Sequence, residues 1–259
     1  MRDSDRPHQR LESLLRRDYA ITLVALIAVI IVCWGYLLAG AGMTMPSVGG
    51  EETPRRSWDT AYALVMLAMW WVMMIAMMLP SAAPMILVFS KVNRESTDGS
   101  PRAMLAFVAA YIAAWSGFSV LATALQWALD GGGLLSPDMA SSNRVFGGAL
   151  LIVAGVWQLT PLKHACLRHC RSPFYYCLHK WRGGTYGAFR MGFGHGAFCL
   201  GCCWVLMALL FYGGVMNIWW ILGLSTYVLI EKVVPAGHWI GRGTGGLLLF
   251  WGIWVLLSV

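Results

Sequence analysis

The sequence predicts an all-α fold, a polytopic membrane bundle of about seven transmembrane helices with its N-terminus in the cytoplasm. Three observations carry that expectation. Of 259 residues, 58% are hydrophobic and 12% charged, and the mean hydropathy is +0.63, outside the range of a water-soluble domain. The apolar residues fall in runs long enough to cross a hydrocarbon core, at about 20 residues per passage. The Lys and Arg residues sit between these runs, so the net charge of +7 is read as a topology signal; the implied partner is the lipid bilayer, and no nucleic acid is expected.

Residues 1–18 are polar and basic, with Arg2, Arg6, Arg10, Arg16 and Arg17, and form a cytoplasmic segment ahead of a single transmembrane domain, 19–259. The first span, 19–39, is longer than the roughly 7–15 apolar residues of a cleaved signal peptide and reads as an uncleaved anchor. The second, 61–79, runs into Pro80 and Pro84, which should kink or break the helix because each removes a backbone donor. Further spans fall at 103–129, 145–162, 186–212, 218–234 and 245–259.

With the N-terminus inside, Lys91, Arg94 and Arg102 lie on the cytoplasmic side. So do Lys163, Arg168, Arg171, Lys180, Arg182, Arg190, Lys232 and Arg242, whereas Arg55, Arg56 and Arg144 alone fall outside. That asymmetry is what the positive-inside rule requires, and adding or removing an internal span destroys it. A Cys/His-rich cytoplasmic loop is expected at about 163–185.

Six of the seven cysteines, Cys166, Cys170, Cys177, Cys199, Cys202 and Cys203, occupy one window of the chain. Cys33 stands apart and reads as a small buried hydrophobe. On the fifth span Met191, His195, Cys199 and Cys202 fall within roughly 80° of arc on an ideal helix, with Cys203 beside them. Thioether, imidazole and thiolate suit Cu(I), zinc or another soft metal; Mg²⁺ or Ca²⁺ would require oxygens that this face lacks. Each residue alone has an ordinary explanation as core packing. Together, at i, i+4, i+8 and i+11 from Met191, they form the first candidate metal site.

Three further groups are candidates. His164, Cys166, His169 and Cys170 form a second soft-ligand set, or else part of a basic amphipathic segment at the headgroups, where Phe174, Tyr175, Tyr176 and Trp181 are typical. Met66, Met69, Met73 and Met77 lie on one stripe of the second span, read as adaptable packing or as a methionine path for a soft ion. Glu231 is an intramembrane carboxylate, a cation or proton carrier or the partner of a basic side chain; Lys232 beside it fits snorkelling toward the interface. Glycines 192, 194 and 196 lower helix propensity before His195 and allow a local break there.

Several of these segments occur together in a known pattern: Met69-Trp-Trp-Val-Met-Met-Ile-Ala-Met-Met-Leu-Pro80, Gln158-Leu-Thr-Pro-Leu-Lys163, Cys166-Leu-Arg-His-Cys170-Arg-Ser-Pro173 and His195-Gly-Ala-Phe-Cys199-Leu-Gly-Cys202-Cys203-Trp204. From about residue 60 onward the chain resembles a bacterial family of predicted metal-binding integral membrane proteins, a domain of unknown function. The resemblance implies a multi-pass protein of the bacterial inner membrane and names no metal, substrate or reaction.

The residues support binding of a soft metal, foremost copper as Cu(I), for transport or for delivery to a metal carrier or metalloenzyme client. A membrane thiol-disulfide oxidoreductase using Cys199, Cys202 and Cys203, and a non-catalytic assembly subunit, are the alternatives. No catalytic residue is assigned. No nucleotide-binding motif is present for ATP-driven pumping.

Overall fold

The computed structural model describes residues 5–41, 58–97 and 99–258, with side chains from Tyr19 onward. Arg55 and Arg56, and the side chains of the basic N-terminal segment, lie outside the described residues. The helices are α1 (Asp5–Leu38), α2 (Thr60–Glu95), α3 (Pro101–Gly131), α4 (Arg144–Leu159), α5 (Pro161–Arg171), α6 (Pro173–Lys180), α7 (Gly184–Ala208), α8 (Leu210–Gly213), α9 (Ile218–Val233) and α10 (Gly237–Leu257). The described residues contain no strand, only an isolated bridge between Leu135 and Ser141. The all-α class expected from the sequence is borne out.

Helices begin where the sequence offers a polar cap. Asp59, Ser100, Asn143, Thr160 and Asn217 each accept a first-turn backbone N–H, which satisfies donors the helix leaves open. Pro101, Pro161 and Pro173 stand at the first positions of α3, α5 and α6, where a missing N–H costs nothing.

Five helical stretches are long and apolar enough to cross a membrane: Tyr19–Leu38, Thr60–Glu95, Pro101–Gly131, Gly184–Gly213 and Gly237–Leu257. α4 and α5 meet at a 65° bend and add a sixth passage if taken as one broken span. α9 coincides with an expected span but has 16 residues, fewer than the roughly 20 of a straight crossing.

Two expected helix breaks are not found. α2 is not broken at Pro80 or Pro84 but continues through both to Glu95. Side chains reinforce the turn ahead of Pro80: Ser81 and Tyr111 hydroxyls donate to the Met78 carbonyl at 2.9 and 3.2 Å, and Ser225 donates to Met77 O at 3.3 Å. These hydroxyls add bonds to the two carbonyls next to Ala76, whose own carbonyl is the one that Pro80 leaves without an N–H donor. α7 likewise runs unbroken through Gly192, Gly194 and Gly196. Helices α5 and α6 occupy most of the Cys/His-rich segment about 163–185, and the bend at Thr160–Pro161 lays α5 against α7. Thr160 is extended, with φ −71° and ψ 143°, as the residue before proline prefers.

The most extensive helix pairings are α3 with α7 and α4 with α10, both made possible by missing side chains. A Cβ at Gly192 would lie 2.1 Å from the Phe107 carbonyl oxygen of α3. Gly148 and Gly155 of α4 sit so near α10 that a Cβ would lie 3.1 Å from Gly252 O and 2.9 Å from Gly245 O, respectively. Small residues at such contacts let backbones approach closely. α2 runs beside α1 and α3 and carries much of the core, with Met66, Met69, Trp70, Met73, Met74, Met77 and Met78 fully buried.

Candidate metal centre

The soft-ligand face of α7 points into the bundle. Met191, His195, Cys199, Cys202 and Cys203 are each at most 2% exposed. The Cys202 and Cys203 thiols both donate to the Cys199 carbonyl at 3.0 Å, as side chains three and four residues further along a helix can. Three sulfurs are thereby gathered within one turn. Cys203 also lies against α2, its Sγ 3.8 Å from the Met78 thioether.

α5 supplies what the sequence placed elsewhere. Cys170 faces Cys199 and Cys202, near enough for its thiol to interact with both. Cys166 packs on the same face of α7, where its Sγ would stand 2.9 Å from a Cβ placed at Gly201. The two cysteine groups separated in the sequence analysis therefore join into one. The histidines of the second group do not follow. His169 lies 2.9 Å from Ala165 O and stacks on Phe198, with ring centroids 4.1 Å apart. His164 has basic neighbours, Lys163, Arg168, His238 and Arg242.

α9 adds a charge. The Lys232 ammonium lies 3.0 Å from Cys199 Sγ and 2.9 Å from Ser81 Oγ, and the residue is 6% exposed. The expected snorkelling is corrected: the side chain turns inward because its charge finds a sulfur partner and a hydroxyl there. Tyr111 completes the contacts of Cys199, with its hydroxyl 3.1 Å from Sγ.

Glu231 faces the other way. Its carboxylate pairs with Lys163, which also donates to Gln158 Oε1. Gln158 Nε2 donates to the Tyr227 hydroxyl at 2.7 Å, which reaches back to Glu231 at 3.5 Å. Lys163 is fully buried and so is not the interfacial cation that its place in the positive-inside count suggested. Thr160 caps the first turn of α5 at Lys163 N, and this turn carries the lysine into the bundle. The pair leaves the centre's own first neighbours free of carboxylate oxygen.

His195 is enclosed by the rings of Phe107, Tyr111 and Tyr176, with centroids 5.8 to 6.4 Å away. Its Nδ1 is buried with no hydrogen-bond partner. A buried imidazole nitrogen without a partner is costly unless something fills its lone pair. Met191 departs from the expected constellation: its sulfur accepts the Arg182 backbone N–H at 3.3 Å and so faces the α6–α7 junction. Among the described residues, no three His, Cys, Asp or Glu side chains already surround one point as a cage. On ligating a metal as thiolates, Cys202 and Cys203 would give up the hydrogen bonds they donate to the Cys199 carbonyl.

Thiol sulfurs and the Met78 thioether meet here, on the helix face that also carries the unpartnered imidazole nitrogen of His195, donor types that suit Cu(I) or another soft metal. A family profile described as copper chaperone, PpoB2, matches residues 67–255. The chain belongs to this copper chaperone family. No curated protein and no solved structure is significantly similar. The motif resemblance named no metal; the description of this family names copper. The matched region contains α3, α4, α5, α7 and α9 and most of α2, hence every residue of the thiol cluster.

Sequence reasoning missed Tyr111, Ser81 and the role of Lys232. A lysine inside an apolar run was a visible signal, but its partner was not.

Proposed function

We propose that the chain is a seven-span protein of the bacterial inner membrane, N-terminus inside, that binds Cu(I) within its bundle and hands it to a client protein. The observation that carries this reading is the convergence of Cys170 from α5 on Cys199 and Cys202 of α7, with Lys232 of α9 against Cys199. Cys203, Met78 and His195 stand close enough to take part as the ion is received or passed on.

Charge supports a monovalent cargo. Burying net charge in a low-dielectric interior is expensive. Two thiolates, one Cu(I) and one ammonium sum to zero, so Lys232 neutralises a bis-thiolate copper complex that would otherwise be a buried anion. In the copper-free protein the same ammonium gives Cys199 a hydrogen-bonded partner. Thiols bind the ion as thiolates, so loading releases protons. The last helical turn of α5, ending at Arg171, carries Cys170, and the bend at Thr160–Pro161 directs that helix toward α7.

The described cysteines are free, and Cys199, Cys202 and Cys203 are shielded from soluble thiols, which favours metal handling over disulfide exchange. The test is elemental analysis of protein purified anaerobically in detergent after Cu(I) loading. The expected result is one copper per chain fewer in the double variant Cys199→Ser/Cys202→Ser than in the parent chain. Equal copper in both sinks the reading. Trapping of a Cys199–Cys202 disulfide as the resting state would point instead to redox chemistry.

A further inference from the structure

At the opposite end of the α2 methionine stripe a second group of sulfurs is organised around an amide. Gln126 of α3 is 1% exposed. Its Oε1 accepts the Trp70 indole N–H at 2.6 Å, while its Nε2 approaches the sulfurs of Met66 at 3.5 Å and Met139 at 3.1 Å. The indole can only donate, so the amide orientation is chemically fixed with its NH₂ toward the thioethers. Both hydrogens of a buried amide are thus spent on weak sulfur acceptors.

Met139 reaches this point from the loop between α3 and α4. Its backbone is left-handed, with φ 57°, a conformation that an unbranched, non-glycine residue rarely adopts. The loop over-determines it: Met139 N donates to Ser136 O at 2.8 Å, Ser136 N to Ala140 O at 2.8 Å, and Val215 N to Met139 O at 3.4 Å. Strain held in this way and aimed at a ligand cluster fits a functional site. Met66 is fully buried and Met139 half-buried, so the pair joins the surface to the core.

We infer that Met66 and Met139 form a thioether site for Cu(I), in which Gln126 holds the two sulfurs facing one point until the ion takes the place of its N–H groups. The inference rests on the copper reading above and deepens it by naming where the ion is first received. Two thioethers bind Cu(I) without losing a proton, and more weakly than thiolates, as suits a site that must pass its cargo on. From Met66 the buried stripe of Met69, Met73, Met74 and Met77 leads to Met78, beside Cys203. That is about 18 Å along the α2 axis at 1.5 Å per residue. In the proposed topology the Met139 end faces away from the cytoplasm, so the path runs from the outer surface inward to the thiols.

The experiment compares four forms of the full chain in detergent, loaded anaerobically with Cu(I): the parent, C199S/C202S, M66L/M139L and the combined quadruple variant. Selenomethionine labelling and X-ray absorption at the copper edge report Cu–Se contact. Leucine keeps the methionine volume closely, and thermal unfolding checks that each variant folds. The expected result is that C199S/C202S retains one copper per chain, with Cu–Se contact, and that adding M66L/M139L removes both. Unchanged copper and unchanged Cu–Se contact on adding M66L/M139L overturns the thioether site. If M66L/M139L does not fold, Gln126→Leu replaces it: it leaves both sulfurs but removes their anchor, and unchanged retention with Cu–Se contact at parental level overturns Gln126 as organiser and the site with it. Full copper retention in C199S/C202S counts against the thiol centre, while the M66L/M139L comparison still decides the thioether site.

Discussion

Lys232 Nζ lies 3.0 Å from Cys199 Sγ, and these two residues come from helices whose sequences give no hint of each other. Lys232→Met should leave a bis-thiolate copper complex as an uncompensated buried anion. Removing one partner of a buried charged pair costs about 3–5 kcal/mol, so Cu(I) affinity should fall by roughly two orders of magnitude or more. Lys232→Arg, which keeps the charge in a bulkier form, should recover part of it. Competition for Cu(I) with a chromophoric chelator measures both, and parental affinity in Lys232→Met would remove the counter-ion role.

Cys170 and Cys177 offer a contrast within one stretch of chain. Cys170→Ser should weaken copper retention because that thiol meets Cys199 and Cys202. Cys177→Ser should retain copper as the parent does, since Cys177 lies on α6 in an apolar setting. Equal retention by the two variants, measured side by side, would show that α5 contributes no ligand.

Burial pushes the Cys177 thiol up from 9.0 to about 11, and that shift has a signed consequence for stability. The folded state holds this proton more tightly than the unfolded chain, so its contribution is complete below pH 9 and is lost as pH rises toward 11. Burial pushes the neighbouring Tyr176 phenol up from 10.0 to about 12, with the same sign at higher pH. Thermal unfolding in detergent across pH 8 to 11 should show a decline that is smaller in Cys177→Ser. A slope identical in parent and variant would assign the decline to other groups.

The Lys163–Glu231 pair is predicted to be structural. Lys163→Met leaves Glu231 buried without its cation, and about 3–5 kcal/mol of stability should be lost. Combining it with Glu231→Leu should recover much of that loss, because two apolar side chains need no partners. Unfolding temperatures of the single and double variants decide the matter; a double variant no more stable than the single one would mean that the network contributes through more than charge.

At the α3–α7 contact, Gly192→Ala should destabilise by roughly 1–3 kcal/mol, since a methyl would collide with backbone at Phe107. The displaced α7 should also bind copper less well. An alanine variant with parental unfolding temperature would show that the two helices part without cost.

The sequence by itself determined the long apolar helices and the soft-ligand face of α7. These follow from local rules: apolar runs of sufficient length, and 3.6-residue periodicity that aligns His195 with Cys199 and Cys202. Periodicity, however, says which residues share a face and not what that face meets. The bend at Thr160–Pro161 went unread, since the fourth span was expected to run through it to 162, and its 65° angle, which sends Cys170 toward α7, depends on how α5 packs. Pro80 shows the converse, because local rules would break the helix there, yet it continues, with hydroxyls of Tyr111 and Ser225 from other helices bonded to its carbonyls. Tertiary structure alone decided the inward turn of Lys232, the burial of Lys163 and the meeting of Met66 with Met139. Charge and sulfur in a low-dielectric interior take whichever partners the packing supplies, and those partners lie tens of residues away in the chain.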